Sequence, residues 1–109
     1  MMSTYTPDRW VVVVISNGEK TYSKVLAGWY GGFAAGDSWK LSSSIIAVVD
    51  HETHYEFKNS SGSTYICYKN SYGMSMYMSG VYGSFEQDIS THPDASIKIE
   101  EKYEPNRTN

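Results

Sequence analysis

The sequence predicts an α+β domain: an antiparallel meander of about five strands, one helix packed on a face, and a C-terminal strand that returns to the sheet. Three observations predict it. Short apolar or alternating runs between residues 10 and 68 are punctuated by turn clusters. From residue 74 the apolar period becomes that of a helix. Alternation then resumes at Ile97 and Ile99.

The first run, Trp10-Val11-Val12-Val13-Val14-Ile15, is β-branched and apolar without alternation. Both its faces want burial, so it is expected to be a central strand. Asn17-Gly18 follows, the strongest short hairpin signal, and the return strand should run from Lys20 to about Leu26. Residues 27–39 mix four glycines with Trp29, Tyr30, Phe33 and Trp39. Glycine weakens regular elements, so a long aromatic loop is expected there. A third strand is expected from Leu41 to Val49, with Ile45 to Val49 as its apolar heart.

His54-Tyr55-Glu56-Phe57-Lys58 alternates as a half-buried strand does, and Thr64 to Tyr68 returns after the turn cluster Asn59-Ser60-Ser61-Gly62-Ser63. Met74, Met78, Val81, Tyr82, Phe85 and Ile89 then share one helical face. Asn70 or Ser71 is the expected cap. Gly80 and Gly83 lower helix propensity by about 1 kcal/mol each and would let the helix lie close to the sheet. Pro93 ends it. The last strand is expected over Ala95 to Tyr103, with a charged wet face suited to a sheet edge.

A length of 109 residues fits one domain, 1–109, with 1–9 and 105–109 as loose ends. The net charge of −3 and the scattered lysines argue against a generic binder of phosphate backbones. A single cysteine, Cys67, excludes an internal disulfide. No apolar stretch reaches the ~20 residues of a membrane span, and the N-terminus does not read as a signal peptide. The expected compartment is therefore the cytoplasm, with no membrane partner.

Chemical motifs fail one by one. Gly31 and Gly36 have P-loop spacing, with Ser38 in the hydroxyl position. Asp37 occupies the lysine position, and a carboxylate there repels phosphate. His51-Glu52-Thr53-His54 lacks a converging third ligand, and residues three apart on a strand face opposite ways, so a surface turn is expected. Cys67 reads as a small core residue. No catalytic residue, metal or cofactor is expected.

The aromatics remain. Ten tyrosines and three tryptophans are many for this length, and Trp and Tyr are enriched at binding hot spots. The candidate contact residues are Trp29, Tyr30, Phe33, Trp39 and Tyr72. The same rings would equally serve as caps on the sheet core.

Thr6-Pro7-Asp8-Arg9-Trp10, Gly28-Trp29-Tyr30-Gly31-Gly32, Asp37-Ser38-Trp39-Lys40-Leu41 and Tyr68-Lys69-Asn70-Ser71-Tyr72-Gly73 resemble segments of small tailed-bacteriophage proteins that have no assigned activity. The resemblance implies a setting only: an accessory factor in the host cytoplasm that binds a host or phage macromolecule. The expected function is non-enzymatic binding of a protein through the aromatic glycine loop. Recognition of a nucleic acid or nucleotide by the same rings is the second expectation. A virion or assembly component pairing through the last strand is the third.

Overall fold

A computed structural model describes residues 3–32 and 36–103. Its strands are β1 (Thr4–Tyr5), β2 (Arg9–Ser16), β3 (Thr21–Trp29), β4 (Ser38–Leu41), β5 (Ile45–Asp50), β6 (His54–Asn59), β7 (Thr64–Tyr68) and β8 (Ser96–Ile99). A helix, α1, spans Met76–Ile89. The α+β class holds, but the single meander does not. The strands form two four-stranded sheets, ordered β1-β7-β6-β5 and β4-β3-β2-β8.

The division follows from β2. Trp10 and Val12 point into a core shared with Val25 and Ala27 of β3 and with Tyr55, Phe57, Tyr65 and Cys67 of the other sheet. Val11 and Val13 point the other way, with Leu26, onto Met78 and Tyr82 of α1. The expected burial of both faces is present, and covering them takes a sheet on one side and a helix on the other. β2 lies between β3 and β8, paired antiparallel with both.

The β2–β3 hairpin closes at the Asn17-Gly18 signal. The Asn17 side-chain oxygen accepts from the amides of Glu19 (3.0 Å) and Lys20 (2.8 Å), and Gly18 takes a φ of 95° that suits glycine.

The expected third strand, Leu41 to Val49, is two strands in different sheets. Ser42 interrupts it. Its amide donates to the Val25 carbonyl (2.8 Å), and its hydroxyl accepts from the Val25 amide (2.8 Å). The buried serine thus satisfies the β3 backbone where β4 has ended, and the chain crosses to the second sheet. There β5 is an edge strand. The pairing shifts between Ile45 and Ala47, and Ile46 and Val49 stay exposed, against the expectation of an apolar heart.

The long loop expected over 27–39 is also shorter. Ala27, Gly28 and Trp29 continue β3, and Ser38 and Trp39 already belong to β4. Gly28 is tolerated within the strand because a helix side chain needs its space. A Cβ there would stand 2.5 Å from Met78 Sδ and 2.6 Å from Met78 Cγ. Gly80 and Gly83 were expected to permit this close approach, yet both face open space.

The helix starts later than expected. Met74 packs beside the helix-side core but precedes the helix. Ser75 is the cap, accepting from the Met78 amide at 3.2 Å, while Asn70 and Ser71 lie in a separate 3-10 turn. At the C-terminal end β8 stops at Ile99, not Tyr103. Tyr103 packs across the sheet-to-sheet core with its ring centroid 5.1 Å from both Tyr55 and Phe57.

The expected loose N-terminal end is tied down from residue 3. β1 pairs in parallel with β7, the Thr64 amide donates to the Ser3 carbonyl (2.8 Å), and the Asp8 amide donates to the Gly28 carbonyl (3.0 Å). The loose end expected at 105–109 lies outside the described residues.

Two outcomes follow from this packing. Gly28→Val should destabilise by about 1–3 kcal/mol in chemical denaturation through overpacking. In the Met78→Ala background the same substitution should cost clearly less, because the clashing atoms are gone. The second outcome concerns alkaline pH. A tyrosine ordinarily ionises near 10, but burial pushes Tyr65 and Tyr103 up to about 12. Between those values the unfolded chain sheds protons that the folded chain retains. The share of stability due to these two rings should therefore be constant up to about 10 and fall from there to about 12, adding to a loss that the buried Cys67 thiol, also held above its ordinary range, begins at lower pH. Tyr65→Phe should flatten its share of the fall in a pH series of denaturation midpoints.

Candidate functional site

The segments 6–10, 28–32, 37–41 and 68–73 are far apart in sequence, yet the fold binds them together. The Trp29 indole donates to the Thr6 carbonyl (3.0 Å). The Asp8 carboxylate accepts from the Tyr30 amide (2.8 Å), and the Asp37 carboxylate accepts from the Gly31 amide (3.3 Å). Arg9 Nη2 donates to the Tyr72 carbonyl (3.3 Å). The Trp10 indole donates to the Tyr68 carbonyl (2.7 Å), and the Trp10 carbonyl accepts from the Gly73 amide (2.9 Å). Asp37, which spoils the P-loop pattern, thus has a structural duty: its carboxylate ties the residue before β4 to Gly31, just past the end of β3. Gly31 is confined there, since a Cβ would lie 1.5 Å from the Gly36 carbonyl oxygen.

Beside this network a groove of about 540 Å³ opens between β1 and β4, the end strands of their sheets. It is lined by residues 4–6, Trp29 and residues 38–40. Tyr5 meets Trp29 edge to face (6.3 Å) and lies 5.0 Å from Tyr65 of the core. Lys40 sets its ammonium 5.2 Å from the Tyr5 ring centroid, within cation–π range. The groove therefore has an aromatic floor, hydroxyls from Thr4, Thr6 and Ser38, and one cation at its rim.

The five candidate residues do not form one surface. Trp29 packs against the sheet-to-sheet core, and Trp39 lies on the other face of its sheet, paired with Gly28 and edge-on to Phe85 of α1 at 5.3 Å. Both still line the groove, because it follows the sheet edge. Trp39 is 39% exposed and Tyr30 is 58% exposed, so both are open to a partner. Phe33 lies outside the described residues.

Tyr72 is part-buried and packs against both halves of the core, away from this groove. Its ring meets Trp10 edge to face at 4.7 Å, and its hydroxyl donates to the Glu100 carbonyl and accepts from the Val12 amide. It lines a different cavity, about 220 Å³, at the end of the sheet-to-sheet core. Tyr5 and Lys40 were missed as candidates. Tyr5 sat in a segment read as loose, and a lone lysine carries no pattern.

The remaining chemical groups are bound into structure. Burial pushes the Cys67 thiol well above its ordinary range, so it stays protonated and unreactive. His51 and His54 do not point apart, as strand alternation suggested. They flank the β5–β6 turn, where the His51 amide donates to the His54 carbonyl (2.9 Å), and their rings stack at 4.5 Å. Beside them the Glu56 carboxylate is held below its usual range by Lys58 (2.7 Å) and then by His51 (3.1 Å). Lys69 is raised by its bond to Asp50 (2.6 Å). Among the described residues no group of three or more His, Cys, Asp or Glu side chains is placed to hold a metal ion, and no helix is long and apolar enough to cross a membrane.

No protein-family model matches the chain, and no curated protein or solved structure matches it.

Proposed function

We propose that the protein is a non-catalytic binding module that receives an extended segment of a protein partner in the groove between β1 and β4. The resemblance to phage-encoded proteins supplies the setting, an accessory factor that engages a host or phage protein. One observation carries the proposal: the Tyr5–Trp29 floor, the exposed Trp39 and the free side of β4 lie in one open groove. Rigid aromatic rings give contact area at low entropic cost. An end strand offers backbone donors and acceptors to an added strand. Tyr30, exposed beside the groove, extends the contact surface.

A single-stranded nucleic acid fits less well. Stacking rings need a groove of positive charge along the backbone, and among the described residues Lys40 is the one charged side chain lining this groove.

The test compares wild type with Tyr30→Ala plus Trp39→Ala, both mainly surface changes. Trp29 is unsuitable, since its ring and indole N–H hold the network together. With matched thermal unfolding, at least one protein captured from host lysate should bind the variant about tenfold more weakly or worse, a loss of ~1.4 kcal/mol. Identical capture by both proteins would remove the groove from the interaction. Short single strands at low salt should leave tryptophan fluorescence unchanged. Quenching there would favour the nucleic-acid reading.

A further inference from the structure

The cavity beside Tyr72, about 220 Å³, runs from an apolar depth to a charged rim. Trp10, 1% exposed, is its most buried wall. Tyr55, Tyr72 and Tyr103 line it too, each edge to face with the Trp10 indole at 6.0, 4.7 and 6.4 Å. Lys69 and Lys102, both exposed, complete the lining. Among the described residues they are its only charged side chains.

Water suits the depth of this cavity poorly. A buried water needs roughly two to four polar partners, and the polar tips of the rings are already engaged. The Trp10 indole donates to the Tyr68 carbonyl, the Tyr72 hydroxyl bonds Glu100 and Val12, and the Tyr55 hydroxyl donates to the Tyr103 carbonyl (3.4 Å). A quaternary ammonium is the usual guest of an aromatic box, but this box has a cation of its own. The Lys69 ammonium stands 4.8 Å from the Tyr55 ring centroid, and Lys102 brings a second positive charge to the lining. The head group favoured there is an anion. Lys69 gives one N–H to Asp50 (2.6 Å), and an ammonium has three donors, so it can receive a second carboxylate.

Size limits the body of the guest. An apolar cavity of about 150 Å³ takes up benzene, so about 220 Å³ admits a single ring with a small substituent. We propose that this cavity is a binding site for a small aromatic carboxylate. Its ring would sit among Trp10, Tyr55, Tyr72 and Tyr103, which offer it both edges and faces. Its carboxylate would meet the ammonium groups of Lys69 and Lys102. The β1–β4 groove shares no lining residue with this cavity, so the inference stands independently of the groove's role.

Benzoate titrated into the whole chain at fixed ionic strength, followed by proton–nitrogen correlation NMR, tests this. The Trp10 indole N–H and the Lys69 and Tyr103 amides should shift saturably, with a dissociation constant of about 1 mM or tighter. Benzyl alcohol keeps the ring without the charge, and acetate keeps the charge without the ring. Each should bind about tenfold more weakly or worse. Lys69→Gln plus Lys102→Gln should weaken benzoate by a similar factor and leave benzyl alcohol unchanged. The exposure of both lysines predicts an unchanged fold by circular dichroism. Benzoate should also raise the thermal midpoint of the wild type, as any ligand of the folded state does. No saturation by about 10 mM benzoate overturns the proposal. So does benzyl alcohol binding as tightly as benzoate, which would make the charge irrelevant, or acetate doing so, which would leave only ion pairing at the surface. Shifts confined to Tyr5, Trp29 and Lys40 would place benzoate in the other groove and overturn it as well.

Discussion

The structure depends on the double burial of β2. Trp10 is the pivot, almost fully buried, with Tyr55, Phe57, Tyr72 and Tyr103 around it. Its indole N–H is satisfied by the Tyr68 carbonyl, as a buried donor must be. Turning that face inward forces Val11 and Val13 outward, where only another layer can remove them from water. The helix is that layer. Its modest propensity, with Gly80 and Gly83 in its middle, makes it depend on packing. Met78 reaching into the space over Gly28 supplies the closest part of that packing.

The same pivot organises the surface. Arg9 and Trp10 hold residues 68–73 from one side, and Thr6 and Asp8 hold the β3 end from the other. The groove is thus framed by strands whose positions are over-determined by hydrogen bonds. A frame held this way suits recognition without rearrangement, since little ordering cost remains for binding.

Local signals were legible in the sequence. The Asn17-Gly18 turn, the alternation around Tyr55 and Phe57, the helical face from Met78 to Ile89 and the core role of Cys67 all follow from short-range rules. What escaped was the pairing of distant segments. Nothing near Ser42 announces that it will terminate one sheet's hydrogen bonding and release the chain to the next. Nothing in Thr4-Tyr5 marks a parallel strand, because its partner lies some sixty residues on. The glycines around Trp29 pointed to a loop, whereas Gly28 answers to Met78, a constraint fifty residues away. Within the candidate site, Trp29, Tyr30 and Trp39 were found by composition. Tyr72 lies apart from them, because its hydroxyl finds backbone partners inside the fold.

Two apolar runs, 10–15 and 45–49, read alike and fare differently. Neighbours on both sides complete β2, so its whole run is consumed. β5 has a neighbour on one side only, so its run leaves a remainder. Periodicity reports how much burial a strand wants, and topology decides how much it receives. Where want exceeds supply within one chain, the difference is surface chemistry. On β5 that difference stands at Ile46 and Val49, along the outer edge of its sheet.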